Sequence, residues 1–534
     1  MFFIVTGTSR AIPNNIGTPV RMSGRLQWCV PILLAVFFAL WGLRGVLGGS
    51  IADDDAPRHA LNGAFLLDMV RQHQVAHPVQ YGYWYYSRLP ALSLPYHPPI
   101  FPAFEALVYG VIGVNTLAAR IAIAIATFAA VLLLYRVILR THNSPLLATM
   151  VTISFFALPR VQKLSATVML EVPALVFVLA ALVFATPDEG AFQTPRSLMF
   201  AVFAAAAIWT KQTVFLFLFP FVYVIVARKW SLLRKSFFWI TVVLVALSAI
   251  GLALLGREIE WNSINQSWAH ISALQQLIQN SVYYFRWKIV VGLLVFAALF
   301  LTYRWPGGRD DLGRDRIYIA WFLAVLLVLM MAPAYSYRYL FFGFPPYLVI
   351  LFNGMSRTTQ RFMPKRRWIV PALVACAVLA YGMTYPPVVL RGPTEAAEYL
   401  QEAGLHRILF CGNLSNGAFI FAVRSIDPRL STIVIRGDKL PETVFSPDAL
   451  NSLVRQYGVD SVVLEHTVEP QAWDALSPQR LPSLSEERVV TMTDSNHYRD
   501  GTLTIYRVKN PTHVPESSIK VPISVLGRDV DLRF

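Results

Sequence analysis

Eleven long apolar runs, separated by short polar loops, constrain this chain more than any other feature of its sequence. A helix needs about 20 predominantly apolar residues to cross the hydrocarbon core of a bilayer. The shorter runs must therefore borrow flanking polar residues or sit where the bilayer is thin. The runs lie at residues 26–47, 117–139, 145–163, 167–186, 197–210, 212–227, 237–255, 288–303, 317–333, 338–354 and 368–386. They predict a polytopic α-helical membrane protein with about eleven transmembrane helices.

The composition supports lipid as the solvent. Hydrophobic residues make up 55% of the 534 residues and charged residues only 14%, whereas an ordinary soluble domain carries about 25% charge. The first run is longer than a signal-peptide core and has no clear cleavage site, so we expect it to be a retained anchor.

The positive charges of the loops predict an orientation. The formal net charge is +15, and a basic balance can indicate nucleic-acid binding. Here the Lys and Arg residues concentrate in the short loops after the second, sixth, eighth and tenth runs, all on one side. By the positive-inside rule that side is the cytoplasm, together with the N-terminal tail 1–25. We therefore expect no nucleic-acid partner, and a multi-pass membrane protein whose N-terminus is cytoplasmic.

The segment Pro99–Gly113 is apolar, but counting it as a span would turn every later basic loop outward. We interpret it as a juxtamembrane helix on the outer surface. The transmembrane domain then covers residues 26–387, with long outer loops at 48–115 and 256–287. Residues 388–534 are predicted to form a small extracytoplasmic α/β domain. Its helices are predicted at 395–402 and 447–457, and its strands at 407–411, 432–435, 461–465 and 502–508.

Three consecutive carboxylates, Asp53-Asp54-Asp55, begin the first outer loop just before Pro57. One interpretation is that Asp55 caps a helix that continues to about residue 71. A cap needs only one Asp, however, and adjacent carboxylates suit cation binding or proton acceptance. Later in this loop, Tyr96-His97-Pro98-Pro99 is either a rigid kink or a kink that also presents the polar His97.

Further ionisable residues fall on the same outer face. Glu171 begins a span, where the helix dipole stabilises it, but an ionisable group near membrane depth is also a functional candidate. Lys163 lies nearby. Lys211 separates two spans, and Arg338 begins another; both positions are disfavoured by the positive-inside rule, so snorkelling or anion binding is needed to explain them. His270 lies in the third outer loop, where a structural role and a ligand role both remain open.

This ordered set of motifs resembles the GT-C class of membrane glycosyltransferases. The resemblance is nearest to the branch of lipid A aminoarabinose transferases, protein O-mannosyltransferases and bacterial dolichyl-phosphate-mannose-type transferases. It covers about residues 26–354. The motifs that carry it are DDDAPRHA, YHPPIFPAFEALVYGVIGVNTLAAR, Glu171-Val172-Pro173, WTKQTVF and RYLFFGFPP.

The resemblance implies a sugar donor on a polyprenyl phosphate and a lipid, glycan or protein acceptor. It implies Asp55 as the catalytic carboxylate, with Asp54 as the alternative because Ala56 stands where relatives have an acid. Glu171 would orient the acceptor or share a cation. The resemblance also allows a divalent metal near His270. Tyr96-His97, however, replaces the acidic residue that relatives place before the Pro-Pro pair.

The chemistry expected of such a site fits these residue types. A phosphate leaving group needs cations, which Lys211 and Arg338 could supply. The attacking hydroxyl needs a proton acceptor, which is the role expected of Asp55. The other residues expected to bind substrate are Arg58, Tyr96, His97 and Lys163. The expected outcome is inversion at the sugar carbon. Two alternatives remain open: a lipid-linked sugar transporter or flippase, and a non-catalytic envelope assembly protein.

Overall fold

The structure is a computed structural model of the whole chain. It describes residues 26–52, 55–94, 97–185, 192–212, 215–268, 272–305, 308–331, 336–440, 445–467, 473, 483–495, 497–511, 518–523 and 528–533.

Helices dominate the first three-quarters of the chain. In chain order they are α1 (Leu26–Gly42), α2 (Ala56–Arg71), α3 (Pro78–Arg88), α4 (Ile100–Ile112), α5 (Thr116–His142), α6 (Pro145–Ala157), α7 (Pro159–Ala166), α8 (Glu171–Ala185), α9 (Arg196–Ile208), α10 (Phe215–Ala227), α11 (Ser236–Trp268), α12 (Ala273–Tyr284), α13 (Trp287–Leu301), α14 (Gly308–Met331), α15 (Phe344–Phe362) and α16 (Ile369–Met383).

Each of the eleven apolar runs corresponds to a helix. Within the described residues, five helices are long and apolar enough to cross a membrane by length and composition, or six if a bent pair counts as one span. Others that correspond to predicted spans, such as α8, α9 and α10, are shorter apolar helices of 13 to 15 residues. The number of spans therefore stays a prediction. Pro99–Gly113, interpreted as a juxtamembrane helix, forms the 13-residue helix α4.

The predicted span 145–163 is not one straight helix. It divides into α6 and α7, which are bent by 71° relative to each other. Pro159 causes the break, because proline has no N–H for the helix ladder and pushes the preceding residue toward an extended conformation. Leu158 accordingly has ψ 129°. The side chain of Gln162 compensates by donating hydrogen bonds to the carbonyls of Ala157 at 2.9 Å and Gly382 at 3.1 Å.

The predicted outer loop 256–287 contains helix over much of its described length. Helix α11 continues to Trp268, and α12 begins at Ala273. At about 1.5 Å per residue, α11 is about 50 Å long, well beyond the hydrocarbon thickness of about 30 Å. The predicted span ended at residue 255 because the apolar run ends there, whereas the helix continues through the polar residues that follow.

The C-terminal region is an α/β domain. Its helices are α17 (Pro393–Glu402), α18 (Asn416–Ile426) and α19 (Pro447–Gln456), and its strands are β1 (Leu390–Arg391), β2 (Arg407–Cys411), β3 (Ile433–Arg436), β4 (Ser461–Thr467), β5 (Leu484–Asp494), β6 (Gly501–Val508), β7 (Ser518–Ile523) and β8 (Arg528–Arg533). Strands β1–β6 form one sheet in the order β1-β5-β6-β4-β2-β3, and β7 pairs with β8. Strands β4, β2 and β3 are parallel, and β5 and β6 are antiparallel additions.

A buried polar cluster joins α5, α14 and α15 at Asn353, near the middle of α15. His142 Nε2 lies 2.8 Å from Asp315 Oδ1, and Asn353 Nδ2 donates to the same oxygen at 2.9 Å. The hydroxyl of Tyr303 donates to the other oxygen of Asp315. Buried polar groups are costly unless they are hydrogen-bonded, so this cluster specifies how the three helices pack.

A buried ion pair fastens the predicted outer loop 48–115 to the C-terminal domain. Arg424 on α18 donates from Nε to Asp68 Oδ2 on α2 at 2.7 Å, and its Nη2 donates to the other carboxylate oxygen. Tyr85 on α3 donates its hydroxyl to Asp68 Oδ2 at 3.1 Å. The bidentate geometry fixes both the position and the rotation of α2 against the domain. The C-terminal domain therefore fixes the position of helix α2, which begins directly after Asp55.

We expect Arg424→Leu to destabilise the protein strongly, by about 3–5 kcal/mol, because it leaves the Asp68 carboxylate buried without its cation. The measurement is the thermal unfolding of the detergent-solubilised full chain. The matched control is Arg488→Leu, since the Arg488–Glu395 pair spans 2.9 Å but has side chains 42% and 54% exposed. An exposed pair contributes at most about 1 kcal/mol. Equal decreases in the unfolding temperature of the two variants would contradict a stabilising role for the buried Arg424–Asp68 pair.

Candidate active site

Four ionisable residues predicted from separate segments meet at one place. Arg338 Nη1 lies 2.8 Å from Asp55 Oδ2. Arg338 Nε lies 3.8 Å from Glu171 Oε1, and Lys211 Nζ lies 3.0 Å from the same oxygen. The order Asp55–Arg338–Glu171–Lys211 is thus a chain of alternating negative and positive charges. We call these residues the four-residue ion chain.

Each member of the ion chain stands at the end of a helix or turn. Asp55 precedes α2, Glu171 is the first residue of α8, Lys211 follows α9, and Arg338 lies in the 3₁₀ turn Tyr337–Gly343 before α15. Helix ends leave unpaired backbone groups that attract charge. Four segments far apart in sequence therefore bring charged side chains to one place.

Asp55 occupies the N-cap position of α2, as one interpretation predicted, but its side chain does not cap the helix. Asp55 does occupy the position before the first residue of α2, and Pro57 lies in the first turn. Its side chain makes no capping hydrogen bond, however, and it contacts Arg338 instead. The carboxylate is therefore held by a distant part of the chain rather than used for the local helix.

Glu171 is the most deeply buried member of the ion chain. Its side chain is 0% exposed, whereas that of Lys211 is 17% exposed and those of Asp55 and Arg338 are 28% exposed. Neither carboxylate oxygen of Glu171 has a well-aligned hydrogen bond within the described structure, so its contacts with the two cations are mainly charge contacts. A buried carboxylate of this kind holds the two cations in place.

Two histidines lie beside Asp55. The rings of His59 and His97 meet edge to face with centroids 4.3 Å apart. Burial lowers the pKa of His59 to about 4, although the charge of Asp55 opposes this shift. Burial and the neighbouring His59 lower the pKa of His97 well below its usual value. Both rings are therefore neutral at neutral pH.

The carboxyl group of Asp55 stays ionised. Burial by itself would raise its pKa, but the positive charges of His59 and Arg338 outweigh burial and hold the pKa well below its usual value. Because His59 is neutral at neutral pH, Arg338 is the permanent cation in this balance. At neutral pH Asp55 is thus a carboxylate paired with the guanidinium group of Arg338.

The remaining predicted residues occupy different positions. Arg58 on α2 points to the C-terminal domain, where its Nη2 lies 3.4 Å from Asn416 Oδ1. Lys163 lies on α7, and the ion chain is held together without it. Asp54, Tyr96 and His270 lie outside the described residues.

The described residues do not fit a metal centre. Among them, no group of three or more His, Cys, Asp or Glu residues is arranged to hold an ion. The carboxylates of Asp55 and Glu171 are already engaged by cations. A divalent metal near His270 stays a prediction.

Sequence reasoning missed His59 and Tyr339. His59 follows Asp55 by four residues on the same helix, a spacing that places two side chains on one face and could have signalled it. Tyr339 directly follows Arg338. Both Lys211 and Arg338 lie over its ring, 5.8 Å and 5.7 Å from the centroid, so the ring orders the two cations.

Comparison with known proteins gives three findings. Residues 96–255 match the family model described as dolichyl-phosphate-mannose-protein mannosyltransferase. No curated protein sequence gives a significant match. Two solved structures share the fold at low sequence identity.

The first structure is ArnT from Cupriavidus metallidurans bound to undecaprenyl phosphate. It is 12% identical with a TM-score of 0.53, and the similarity covers 90% of this chain and 99% of ArnT. The second is the arabinofuranosyltransferase AftD from Mycobacteria. It is 15% identical with a TM-score of 0.52, and the similarity covers 93% of this chain and 41% of AftD.

These findings confirm the predicted fold class, a polytopic helical protein with a C-terminal α/β domain. The chain is therefore a multi-pass membrane protein with the fold of ArnT and AftD, and its residues 96–255 match the mannosyltransferase family model.

Proposed function

We propose that this protein transfers a sugar from a polyprenyl-phosphate donor to an acceptor hydroxyl, with inversion, at the outer face of the bacterial inner membrane. The observation that carries the proposal is the ion chain, in which a base and two cations lie together at helix ends. ArnT, which shares the fold, is bound to undecaprenyl phosphate, and this supports a polyprenyl-phosphate donor.

The cations of the ion chain suit the leaving group. As the bond between the sugar carbon and the phosphate oxygen breaks, the phosphate takes the electron pair and gains negative charge. Arg338 and Lys211 can bind that charge, since guanidinium and ammonium groups form strong charge-assisted hydrogen bonds to phosphate. No general acid is needed for such a leaving group.

The pairing of Arg338 with Asp55 suggests how donor binding prepares the base. In the ion chain, Arg338 occupies one oxygen of Asp55 at 2.8 Å. A donor phosphate that binds Arg338 competes for the same N–H groups and weakens its hold on Asp55. Asp55 can then accept the proton of the acceptor hydroxyl while that oxygen forms its bond to the sugar carbon. Single displacement of this kind inverts the carbon.

The orientation of the protein remains part of the proposal. The basic loops after α5, α10, α13 and α15 place the cytoplasm at one side of the bundle by the positive-inside rule. The ion chain and the C-terminal domain then lie at the outer side. Nucleotide sugars are cytoplasmic, so a lipid-linked donor is the form of sugar that reaches this face.

The experiment uses the purified full chain in lipid nanodiscs with a radiolabelled polyprenyl-phosphate sugar and an envelope extract as acceptor. We expect the label to move to an acceptor together with release of polyprenyl phosphate. Mass spectrometry of envelope lipids and glycans, with and without the protein, identifies the product. Movement of the intact lipid-linked sugar across vesicle membranes without transfer would instead establish the flippase alternative. If neither occurs, and the loss of envelope integrity follows only from deletion of residues 388–534, the protein is an assembly factor.

A further inference from the structure

The parallel strands of the C-terminal domain end at an edge suited to ligand binding. Strands β2 and β3 run parallel and end at Cys411 and Arg436. The turns that follow are residues 412–415, which lead into α18, and residues 437–439. In open α/β sheets, ligands bind in the crevice beyond the carboxyl ends of the strands.

This edge faces the beginning of α2. Arg58, three residues after Asp55, extends its Nη2 to within 3.4 Å of Asn416 Oδ1 at the start of α18. Arg436 at the end of β3 donates from Nη1 to the carbonyl of Pro90 at 3.0 Å, which joins the same edge to the first outer loop. The outer loop and the C-terminal domain therefore meet at this edge, and we call their junction the crevice.

Three cations and one carboxylate gather in this crevice. The charges of Arg58, Arg436, Lys439 and Asp438 are close enough to influence one another. Arg436 donates from Nε to Asp438 Oδ1 at 2.9 Å, so the carboxylate is already engaged. Because the carboxylate of Asp55 also acts on Arg58, the three cations face two carboxylates and one positive charge is in excess.

Two of these cations, Arg58 and Lys439, are partly buried. Burial, followed by the charge of Arg436, lowers the pKa of both Arg58 and Lys439. The Nε group of Arg58 is buried and has no hydrogen-bond partner within the described residues. A buried donor without a partner costs about 1–3 kcal/mol, and an anion bound in the crevice would remove that cost.

We propose that this crevice, lined by Arg58, Arg436 and Lys439, binds an anionic oxygen group of the acceptor. The inference rests on the proposed function and adds that the acceptor is anionic. Arg58 and Asp55 are three residues apart on one helix face, about 4.5 Å along the axis. An anion bound at Arg58 therefore sets the acceptor hydroxyl next to Asp55. The donor phosphate has its own cations, Lys211 and Arg338, on the other side of Asp55.

The test measures thermal stabilisation of the detergent-solubilised full chain by inorganic phosphate, against chloride at equal ionic strength. We expect Lys439→Gln to weaken the apparent phosphate affinity about tenfold, the size expected for one lost charge-assisted contact. Lys439→Arg should retain it. The matched control is Arg455→Gln, which removes an exposed cation of α19 in the same domain. Without phosphate, Lys439→Gln should unfold at no lower a temperature than the natural protein, because it relieves repulsion among the cations.

A second measurement separates this site from the donor site. In the transfer assay, Lys439→Gln should raise the apparent KM for the acceptor while that for the donor stays unchanged. Nanodiscs of phosphatidylcholine with and without phosphatidic acid distinguish the source of the anion. If phosphatidic acid removes the effect of added phosphate, the group is a lipid phosphate; if the effect persists, the anion belongs to a soluble or glycan-borne acceptor.

Phosphate stabilisation that is equal in Lys439→Gln and the natural protein, with an unchanged acceptor KM, would overturn the anion site. Transfer that still depends on Asp55 in that case would leave the proposed function intact. If no transfer occurs in any variant but phosphate binding depends on Lys439, the proposed function fails and the anion site stands.

Discussion

We expect sugar transfer to fall by at least about a hundredfold in Asp55→Asn, the lower limit typical of a lost general base. Asn has nearly the same shape as Asp but cannot take up the proton of the acceptor hydroxyl. The contact of Asp55 with Arg338, at 2.8 Å and 28% exposed on each side, is a partly solvated pair, so its loss leaves folding and membrane insertion intact. The measurement is label transfer from a polyprenyl-phosphate sugar in nanodiscs.

The control for this variant is Asp448→Asn, the same chemical change on the exposed first turn of α19. It should leave transfer unchanged. Full activity of Asp55→Asn would remove Asp55 from the mechanism. If Asp54→Asn alone abolished transfer, the base would be Asp54, the alternative that the sequence leaves open.

The pH profile provides a check on the same residue. The pKa of Asp55 lies well below its usual value, so its carboxylate form is present throughout the range from about pH 5 to 8. A depressed pKa means that the stabilising contribution of Asp55 is present above its unfolded pKa and is lost as the pH falls through the folded pKa. Transfer by the natural protein should therefore show no loss of this base between pH 8 and 5.

Lys211→Ala is expected to weaken donor binding by about tenfold to a hundredfold, because it removes one charge-assisted contact to phosphate. The apparent KM for the acceptor should change far less. Lys211 also lies 3.0 Å from the buried Glu171, so its removal leaves that carboxylate with only the more distant Arg338. Part of any loss could then reflect reduced stability.

Two further variants separate these effects. Lys211→Arg keeps the positive charge and should retain most of the donor affinity. The double variant Lys211→Ala with Glu171→Gln removes the unpaired charge, so it should restore the unfolding temperature without restoring donor affinity. An apparent donor affinity that is unchanged in Lys211→Ala would contradict the assignment of this cation to the leaving group.

The sequence permits much of this site to be anticipated. Glu171, Lys211 and Arg338 lie at or near the ends of apolar runs, where a charge is unusual enough to be noticed, and Asp55 belongs to a run of three carboxylates in the loop after the first span. The structure brings all four together, and their catalytic and binding roles stay predictions. Arg58 was expected to bind substrate as well; its side chain contacts Asn416 of the C-terminal domain, and its binding role stays a prediction.

Other elements could not be anticipated because their signals depend on contacts. Strand β5 carries Glu486, Glu487 and Arg488 in its interior, and its exposed residues follow no clean alternation. Helix α18 is mostly apolar, so a period of 3.6 residues is hard to recognise in it. The break at Pro159 is visible as a proline, but its 71° angle depends on what packs around it.

The sequence by itself determined that this protein lies in a membrane and predicted the direction of its chain, because hydrophobic length and the placement of Lys and Arg are local properties of the sequence. Only the tertiary structure decided how the charges are paired. Asp55 and Arg338 are 283 residues apart, and Asp68 and Arg424 are 356 apart. Such pairs form only when segments far apart in the chain pack together. No local sequence pattern therefore predicts them.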